Sequence, residues 1–546
     1  MPTATINGRP CEFEGRPTIL QVALDNDIAI PHYCYHPGLS VVASCRICLA
    51  EVAAPDPRQD NKVSVMPKLM PTCQTIISEG MEVDTNSPKS AANQKAVMEY
   101  LLINHPIDCP VCDQAGECSL QDYSYRYGNS VSRFSEDKMK QPKKDIGPNV
   151  LLYADRCIMC TRCVRFTREI TGTGELGVFG RGASEQIDVF PGKPIDNELS
   201  GNVIDICPVG ALLDKDFLFQ QRVWYLKRTP SIDGITASGD NIWIEHNEGV
   251  IHRVKPREND HVNQWWISDE IRYGWKFIHS KERLRMPYRL QFGQQVECDW
   301  DRAYNEVKQG LCGAVSEHGK GSVALVISPM LTCEEAHVLG QFVRALDDQA
   351  VLVTGPVMIK GENKTFPGGY TVVAEKCPNL RGVQRVLRGL GGQVIDYDTF
   401  LTQLADKKKT TGAVVLTANY PWDWTTRDLT KALSKPFTVL IDTLLNPFTA
   451  KADVVLPSAT WVEKSGTFEN VNNRLQAFDQ AISIIEMAKS EGQIAMDLAA
   501  ACGVGNKQKF DVHEVRRKLG GIFEQSIHRP SVQEAPESDM KYVELI

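Results

Sequence analysis

A short run rich in cysteine, His105–Cys118, constrains this chain more than any other stretch. It reads HPIDCPVCDQAGEC, so one imidazole and three thiols fall at the spacing His-x3-Cys-x2-Cys-x5-Cys. The segments between them are too short to form a hydrophobic core, so a bound metal is needed to hold the run in one shape. Four nitrogen and sulfur ligands suit tetrahedral zinc or an iron–sulfur cluster, and this spacing alone does not decide between the two.

The other cysteines favour iron–sulfur clusters. The chain has 17 cysteines, and their grouping in C-x2-C pairs indicates metal ligands rather than disulfides. Twelve candidate ligands fall into three sets of four. These sets are Cys34, Cys45, Cys48 and Cys73; His105, Cys109, Cys112 and Cys118; and Cys157, Cys160, Cys163 and Cys207.

The first set is similar to the ligand pattern of plant-type [2Fe–2S] ferredoxins. Those proteins use C-x4-C-x2-C and a distant cysteine, and here the first gap is ten residues long. A strand at Ala4–Asn7, a turn at Asn7–Gly8 and a helix at Thr18–Asp25 predict a small β-grasp domain around this loop. Cys11 has no partner in the set and is interpreted as a small buried thiol.

The third set has the spacing of a bacterial ferredoxin. Cys157-x2-Cys160-x2-Cys163 is followed by a remote Cys207 before a proline, which is how one cluster of a two-cluster ferredoxin is closed. The second cluster of such a domain would need cysteines at positions that hold other residues here. These are Thr167, Asn197, Ser200 and Val203. We therefore predict a ferredoxin-like domain with one of its two sites lost.

The run Gly172–Gly177 has the form G-x-G-x-x-G. It follows the predicted helix that carries Cys163, and no helix is predicted after it. A dinucleotide-binding loop needs a strand before it and a helix after it, so this segment fails that test. We expect a turn here, and we expect any nicotinamide to bind another polypeptide.

Charge and hydropathy exclude other classes of protein. The net charge is −8 and the only tight basic run is Lys407–Lys409, so a nucleic-acid partner is not expected. No stretch of about 18 apolar residues and no charged-then-apolar leader is present. The sequence therefore predicts a cytoplasmic chain without a membrane span.

Beyond residue 300 the pattern changes to short apolar strands that alternate with amphipathic helices. The predicted strands are Val323–Ser328, Val351–Thr354, Ala413–Leu416, Phe437–Ile441 and Ala452–Leu456. Predicted helices include Cys333–Leu346, which starts with a Thr332/Glu335 capping box, and Pro378–Leu390. This alternation indicates a parallel α/β region. Single cysteines are interpreted as buried residues: Cys298, Cys312, Cys333, Cys377 and Cys502.

Four segments together resemble one protein family. They read HYCYHPGLSVVASCRICLAEV, HPIDCPVCDQAGECSLQD, RCIMCTRCVRFTREI and ELSGNVIDICPVGALLDK. The chain is similar over these segments to the large iron–sulfur subunit of respiratory complex I, NADH:quinone oxidoreductase. The resemblance implies an N-terminal [2Fe–2S] domain, a [4Fe–4S] site held by one His and three Cys, and a second [4Fe–4S] site held by four Cys. It also implies a C-terminal part similar to molybdopterin oxidoreductases but without their catalysis, and ADVVLPSATWVEKSGTFENVNNRLQ, residues 452–476, resembles a molybdopterin-oxidoreductase signature.

One part of the chain departs from the family pattern. Some members hold a further [4Fe–4S] cluster on four cysteines after residue 225. The matching positions here are Ser231, Gly234, Ser238 and Ser268, none of which can supply a thiolate. We therefore expect the cluster-domain fold without its metal.

The predicted fold class is multidomain α+β and α/β. We predict a [2Fe–2S] ferredoxin-like β-grasp domain at 1–85, a one-His/three-Cys [4Fe–4S] domain at 86–125 and a ferredoxin-like [4Fe–4S] domain at 126–219. A molybdopterin-oxidoreductase-type 4Fe–4S domain without its cluster follows at 220–275, then a non-catalytic molybdopterin-oxidoreductase-like α/β domain at 276–525 and an extended tail at 526–546.

The resemblance implies an electron-transfer subunit with one [2Fe–2S] and two [4Fe–4S] clusters and no molybdenum, flavin or NAD of its own. Its expected partners are a flavin-bearing NADH-oxidising subunit and further iron–sulfur and quinone-site subunits. These would hold it at the cytoplasmic side of a bacterial inner membrane. Two alternatives stay open: an electron-transfer subunit of an NAD-linked hydrogenase or formate dehydrogenase, and a zinc-binding scaffold protein.

Overall fold

The computed structural model describes residues 1–56, 62–406, 411–520 and 527–528. The chain divides into two compact units. The first unit is Met1–Leu226 together with Thr365–Tyr370, and the second is Lys227–Lys364 together with the chain from Thr371 onward. The predicted tail at 526–546 and the basic run at 407–409 lie outside the described residues, apart from 527–528.

The first unit begins with the predicted β-grasp fold. Six strands form one sheet, with Thr3–Ile6 paired in parallel to Glu82–Asp84 at its centre. The predicted turn is present, because Asn7 and Gly8 both adopt positive φ and reverse the chain. The helix Ile19–Asp25 begins at Thr18 with a capping box to Gln21 and packs its apolar side on the sheet.

The other helices of the first unit are Pro88–Leu102, Ser119–Tyr127, Arg162–Arg165 and Asn202–Asp205. The remaining strands of the β-grasp sheet are Arg9–Glu12, Leu49–Asp56, Lys62–Val65 and Met70–Pro71. A three-stranded sheet and a hairpin follow: Lys143–Asp145, Val150–Tyr153 and Leu212–Asp214, then Leu176–Phe179 and Gln186–Val189.

The second unit is built on an eight-stranded sheet. In spatial order its strands are Gln294–Glu297, Tyr288–Gln291, Val454–Pro457, Phe437–Asp442, Ala413–Thr417, Val323–Ile327, Val351–Thr354 and Val394–Ile395. Its last six strands run parallel to one another, and they are continuous apolar runs because helices cover both faces of the sheet. The five predicted strands are confirmed within two residues, whereas the antiparallel edge hairpin at 288–297 was not predicted from the sequence.

The helices of the second unit are Asp269–Tyr273, Trp300–His318, Cys333–Leu346, Leu380–Gly389, Tyr397–Ala405, Arg427–Ala432, Glu491–Ala501 and Val512–Lys518. A separate antiparallel sheet at its start contains Lys227–Ile232, Asn241–Asn247 and Val250–Pro256. A third sheet contains Gly466–Glu469, Leu475–Phe478 and Ile527–His528. None of the helices in the described ranges combines the length and the hydropathy that a bilayer crossing requires.

Candidate iron–sulfur centres

The four cysteines of the first set lie together in the loop beside the β-grasp sheet. The Sγ atoms of Cys34 and Cys45 are 3.4 Å apart, and those of Cys48 and Cys73 are 3.5 Å apart. Cys34 also interacts with Cys73, which joins the two pairs. Left-handed backbone at Ala43 and Arg46 curls the loop around them. Cys45 is partly exposed and the other three thiols are buried.

The four cysteines of the third set line one pocket. About 350 Å³ of its space is free of atoms, part of it open to solvent, and apolar residues such as Leu152, Ile187 and Val209 complete its wall. Met159 and Thr161 both adopt positive φ, which is unusual outside glycine and turns the chain tightly between ligands. The Met159 amide donates to the Cys157 sulfur at 3.4 Å.

The second set lies between two helices. Pro88–Leu102 ends just before His105, and Lys138 donates to the carbonyls of Leu102 and Ile103 at its end at 2.7 and 2.8 Å. Cys109 begins a short 3-10 turn, and Cys118 is the residue that precedes the helix Ser119–Tyr127. Cys109 is exposed, whereas the Cys112 thiol is buried.

The protonation states in the second set suit metal binding. Burial, together with the positive charges of Arg156 and Lys138, lowers the pKa of His105 to about 4. The imidazole is therefore neutral at pH 7, which is the only form that can donate a lone pair to iron. Burial raises the pKa of Cys118 to about 12, so without a metal this thiol is protonated at pH 7, and a bound metal would have to displace its proton.

Backbone amides point at the sulfurs of the third set in the way that a bound cluster requires. Burial raises the pKa of Cys207, and hydrogen bonds from the amides of Val209, Leu212 and Ala211 oppose that rise. Burial likewise raises the pKa of Cys157 to about 12, opposed by the Met159 amide. Such N–H donors stabilise thiolate ligands and set cluster potentials. The residues present therefore fit an iron–sulfur cluster.

Within the described residues, no group of three or more His, Cys, Asp or Glu side chains is arranged to hold a single metal ion. The four cysteines of the third set instead line a pocket with empty space between its walls. A cluster of several iron atoms holds its ligands farther apart than one ion does, so the two observations do not conflict.

The three ligand sets are neighbours within the first unit. Arg165 donates to the carbonyls of Cys34 and Cys160, which belong to the first and third sets. The Pro208 carbonyl, next to Cys207, accepts from the Ser119 amide at 3.1 Å, beside Cys118 of the second set. The third set therefore contacts both of the others.

A glycine marks the contact between the second and third sets. A Cβ atom on Gly210 would lie 2.3 Å from the Cys112 sulfur, so no side chain fits there. Arg156 extends beside this contact, where it forms a 2.8 Å ion pair with Asp108 and stacks on the Tyr153 ring. The close approach explains why the chain has glycine at this position.

The four positions at which a second ferredoxin site would need cysteines are filled by ordinary packing. The amide of Asn197 donates to Glu175 at 2.9 Å, and Thr167 donates to the carbonyl of Val164 at 3.1 Å. Ser200 and Val203 are completely buried. These side chains occupy the positions at which cysteines would be needed.

The segment that resembles a further cluster domain is also filled. A Cβ atom on Gly234 would lie 2.3 Å from the indole of Trp461, which stacks on Phe277. Asp233 accepts hydrogen bonds from the Ile235 amide at 2.8 Å and from the Thr236 hydroxyl, among buried groups. Residues 226–276 contain no cysteine. This segment therefore does not fit a cluster.

The glycine run Gly172–Gly177 forms a turn, as predicted. Gly172 and Gly174 adopt positive φ, and the strand Leu176–Phe179 follows where a dinucleotide-binding loop would begin a helix. The sequence analysis did not single out two arginines beside the candidate ligand Cys163: Arg162, which is partly buried, and Arg165, which is buried.

Two of the five single cysteines differ from their interpretation as buried residues. Cys312, inside the helix Trp300–His318, and Cys502, just after the helix Glu491–Ala501, are only partly buried, and their side chains contact each other. Cys298, Cys333 and Cys377 are buried, as predicted.

Family comparisons assign the same sequence of domains. Matches cover a 2Fe-2S iron-sulfur cluster binding domain at 2–88, the NADH-ubiquinone oxidoreductase-G iron-sulfur binding region at 94–133, and the ferredoxin-like domain of NADH-quinone oxidoreductase subunit 3 at 147–213. A 4Fe-4S domain of NADH-ubiquinone oxidoreductase matches 226–276, and a molybdopterin oxidoreductase domain matches 391–501.

Related proteins agree with these domains. The NADH-ubiquinone oxidoreductase 78 kDa subunit of Neurospora crassa is 42% identical over 305 residues, which is 56% of this chain and 39% of that protein. The NADH-quinone oxidoreductase G subunit of Rickettsia felis is 36% identical over 341 residues, or 62% of this chain and 48% of that protein. This chain is a homologue of the large iron–sulfur subunit of NADH:quinone oxidoreductase. The matched part spans less than half the length of these relatives.

Proposed function

We propose that this chain is an electron-transfer subunit of an NADH:quinone oxidoreductase. It takes electrons from a flavin-bearing, NADH-oxidising partner and delivers them towards a quinone-reducing partner, and the whole complex couples this transfer to proton translocation. The observation that carries the proposal is the grouping of three ligand sets in one unit, with the third set in contact with both others. Iron–sulfur clusters, when bound, supply one-electron oxidation and reduction at these positions.

The chain's own residues hold and insulate these centres. His105 supplies a neutral imidazole, eleven cysteines supply thiolates, and backbone amides donate to the sulfurs. Ten of these cysteines are buried or partly buried, which limits the access of water, while exposed Cys109 places the second set at the surface of the chain. We therefore assign one [2Fe–2S] and two [4Fe–4S] clusters to the three sets.

The proposed partners carry out the reactions at the two ends of the electron path. The G-x-G-x-x-G segment of this chain is a turn, so NADH oxidation is assigned to a separate flavin-bearing subunit. Quinone reduction is assigned to further iron–sulfur and quinone-site subunits. We propose that these partners hold the chain in a peripheral arm, on the cytoplasmic side of a bacterial inner membrane.

We expect the anaerobically purified chain to contain about ten iron atoms and as many sulfides, because one [2Fe–2S] and two [4Fe–4S] clusters are assigned. Iron and sulfide analysis with EPR spectroscopy of the reduced protein measures this. About fourteen irons would show that residues 226–276 bind a cluster in spite of their composition. Zinc in place of iron would favour the zinc-scaffold alternative and overturn the proposal.

We expect the chain alone neither to oxidise NADH nor to contain molybdenum. The glycine run lacks the strand–turn–helix context of a dinucleotide site, and no molybdenum ligand was identified in the sequence. Calorimetry with NADH and elemental analysis test the two expectations. Tight NADH binding or stoichiometric molybdenum would contradict them.

The sequence leaves two other oxidoreductases as alternatives, an NAD-linked hydrogenase and a formate dehydrogenase. Isolation of the native complex distinguishes the alternatives. Co-purification with quinone-reducing activity supports our proposal, whereas hydrogenase or formate dehydrogenase activity would replace it.

A further inference from the structure

One face of a single short helical segment connects the first and third ligand sets. Arg162, Arg165 and Glu169 follow one another at helical spacing across Arg162–Arg165 and the π turn Phe166–Ile170. All three side chains contact the loop at residues 34–40. The same segment carries Cys163, a ligand of the third set.

Arg165 contacts a carbonyl from each of the two sets. Its guanidinium donates to the carbonyls of Cys34 and Ser40, and at 3.4 Å to that of Cys160. Arg165 is 8% exposed, so these contacts are shielded from water. A single positive charge therefore lies against a ligand residue of both sets.

Arg162 makes a parallel pair of contacts one turn earlier. It donates to the carbonyl of Tyr35 at 2.5 Å and to that of Ile206 at 3.1 Å. These residues are the chain neighbours of Cys34 and Cys207. Glu169 completes the face by accepting from the amide and hydroxyl of Ser40 at 2.8 and 2.5 Å.

The two guanidinium groups have no carboxylate within ion-pair distance in the part of the chain that the structure describes. Burying such a charge without a counter-charge is costly. The Nε atoms of both arginines also have no hydrogen-bond partner there.

The candidate ligands of the third set supply negative charge beside these arginines. Arg162 lines the same pocket as the four cysteines of that set, and Arg162 and Arg165 share a helical segment with Cys163. When these cysteines bind a cluster as thiolates, they are the counter-charges of the two guanidinium groups.

We propose that Arg165, with Arg162 beside it, is a shared counter-charge that raises the reduction potentials of the [2Fe–2S] cluster and of the four-cysteine [4Fe–4S] cluster together. This inference rests on the proposed function, because it requires that the two sets hold clusters. Four thiolates outweigh the positive charge of the iron–sulfide core, so each cluster is an anion and becomes more negative when reduced. A buried cation beside both therefore stabilises both reduced forms.

The test is an EPR-monitored redox titration of the full chain with all clusters bound. We expect Arg165→Met to shift the equilibrium of both clusters towards the oxidised form at least about tenfold. For a one-electron couple this is a fall in the reduction potential of about 59 mV. Arg165→Lys keeps the charge and is expected to shift both potentials less. The cluster on His105 is an internal reference and should not move. Exposed Arg168, on the same segment, gives the matched control Arg168→Met.

The possible results distinguish a shared counter-charge from a structural role of Arg165 and from a failure of the proposed function. A fall in both potentials with an unchanged EPR spectrum supports the shared counter-charge. Equal potentials in wild type and Arg165→Met, or a fall in only one of them, overturns it. If Arg165→Met fails to keep its clusters, Arg165→Gln and Arg162→Gln decide between charge and packing. Both remove the positive charge but keep a polar donor, so a counter-charge role lowers both potentials, whereas a purely structural role leaves them at wild-type values. Absence of clusters from the wild-type chain would refute the proposed function instead.

Discussion

We expect His105→Ala to lose the [4Fe–4S] cluster of the second set, so that the iron content falls by about four atoms. The imidazole lies where the helix Pro88–Leu102 has just ended, and burial with two nearby positive charges keeps it neutral. Three cysteines remain in the variant, of which Cys109 is exposed. Water can therefore reach the open iron position, which makes the cluster labile. Iron analysis and the EPR spectrum of the reduced chain measure the loss.

His105→Cys separates ligation from simple packing. A thiolate replaces a neutral imidazole, which adds one negative charge to the ligand shell, and cysteine-ligated centres have lower potentials than His-ligated ones in the Rieske comparison. We expect the cluster to stay bound and its midpoint potential to fall. His318→Ala, at the exposed end of the helix Trp300–His318, is the control and should change nothing. An unchanged spectrum and midpoint in His105→Ala would show that this imidazole is not an iron ligand.

The second prediction with a large expected effect concerns the stability of the second unit, which contains the buried ammonium group of Lys464. The Nζ atom of Lys464 lies 2.9 Å from Glu335 and 2.7 Å from Glu491, and all three side chains are at most 4% exposed. Lys464→Met leaves the ionised Glu335 carboxylate buried without its cation, next to Glu491, whose raised pKa keeps it protonated at pH 7. Removing one partner of a buried ion pair costs about 3–5 kcal/mol. We expect the unfolding midpoint of the second unit in urea to fall accordingly.

Two further variants make the Lys464 experiment specific. Lys320→Met removes an ammonium that pairs with Asp348 at 2.7 Å on the surface, where both side chains are about 60% exposed, and it should change stability by less than about 1 kcal/mol. Adding Glu335→Gln and Glu491→Gln to Lys464→Met removes the uncompensated charge and should restore most of the stability. Equal effects of Lys464→Met and Lys320→Met would contradict the role of the buried triad.

The same three buried side chains, Lys464, Glu335 and Glu491, give the second unit a pH-dependent stability. Two carboxylates share one ammonium, and burial together with the charge of Glu335 raises the pKa of Glu491 to about 8. Its value in the unfolded chain is about 4.3, so between these two pH values the folded state binds the extra proton. This contribution is fully present below about pH 4.3 and is lost as the pH rises through about 8. Glu491→Gln should remove that part of the pH dependence, which urea titrations at several pH values measure.

The grouping of the first and third cysteine sets and the types of domain could be predicted because their signals are local. The spacing around Cys157–Cys163 and the run His105–Cys118 each lie within a few residues, and the apolar strands of the second unit are continuous. The capping box at Thr332 was predicted and is present for the same reason.

Contacts between distant segments could not be predicted. Arg165 contacts Cys34, from which it is separated by 131 positions in the sequence. Trp461 packs on Gly234, which lies more than 200 positions before it. Lys464 pairs with Glu335 because the fold of the second unit brings these two distant segments together. The edge hairpin at 288–297 was missed because its strands are short and polar, and the first of them pairs with the sheet at only two residues.

The tryptophan packed on Gly234 bears on how the chain matures. A domain that depends on a metal for closure stays open until that metal is delivered. One that is closed by an indole needs no metal for closure. We therefore expect the second unit to fold without iron and the first unit to wait for cluster insertion. In iron-starved cells the chain should accumulate with a protease-resistant second unit and a degradable first one.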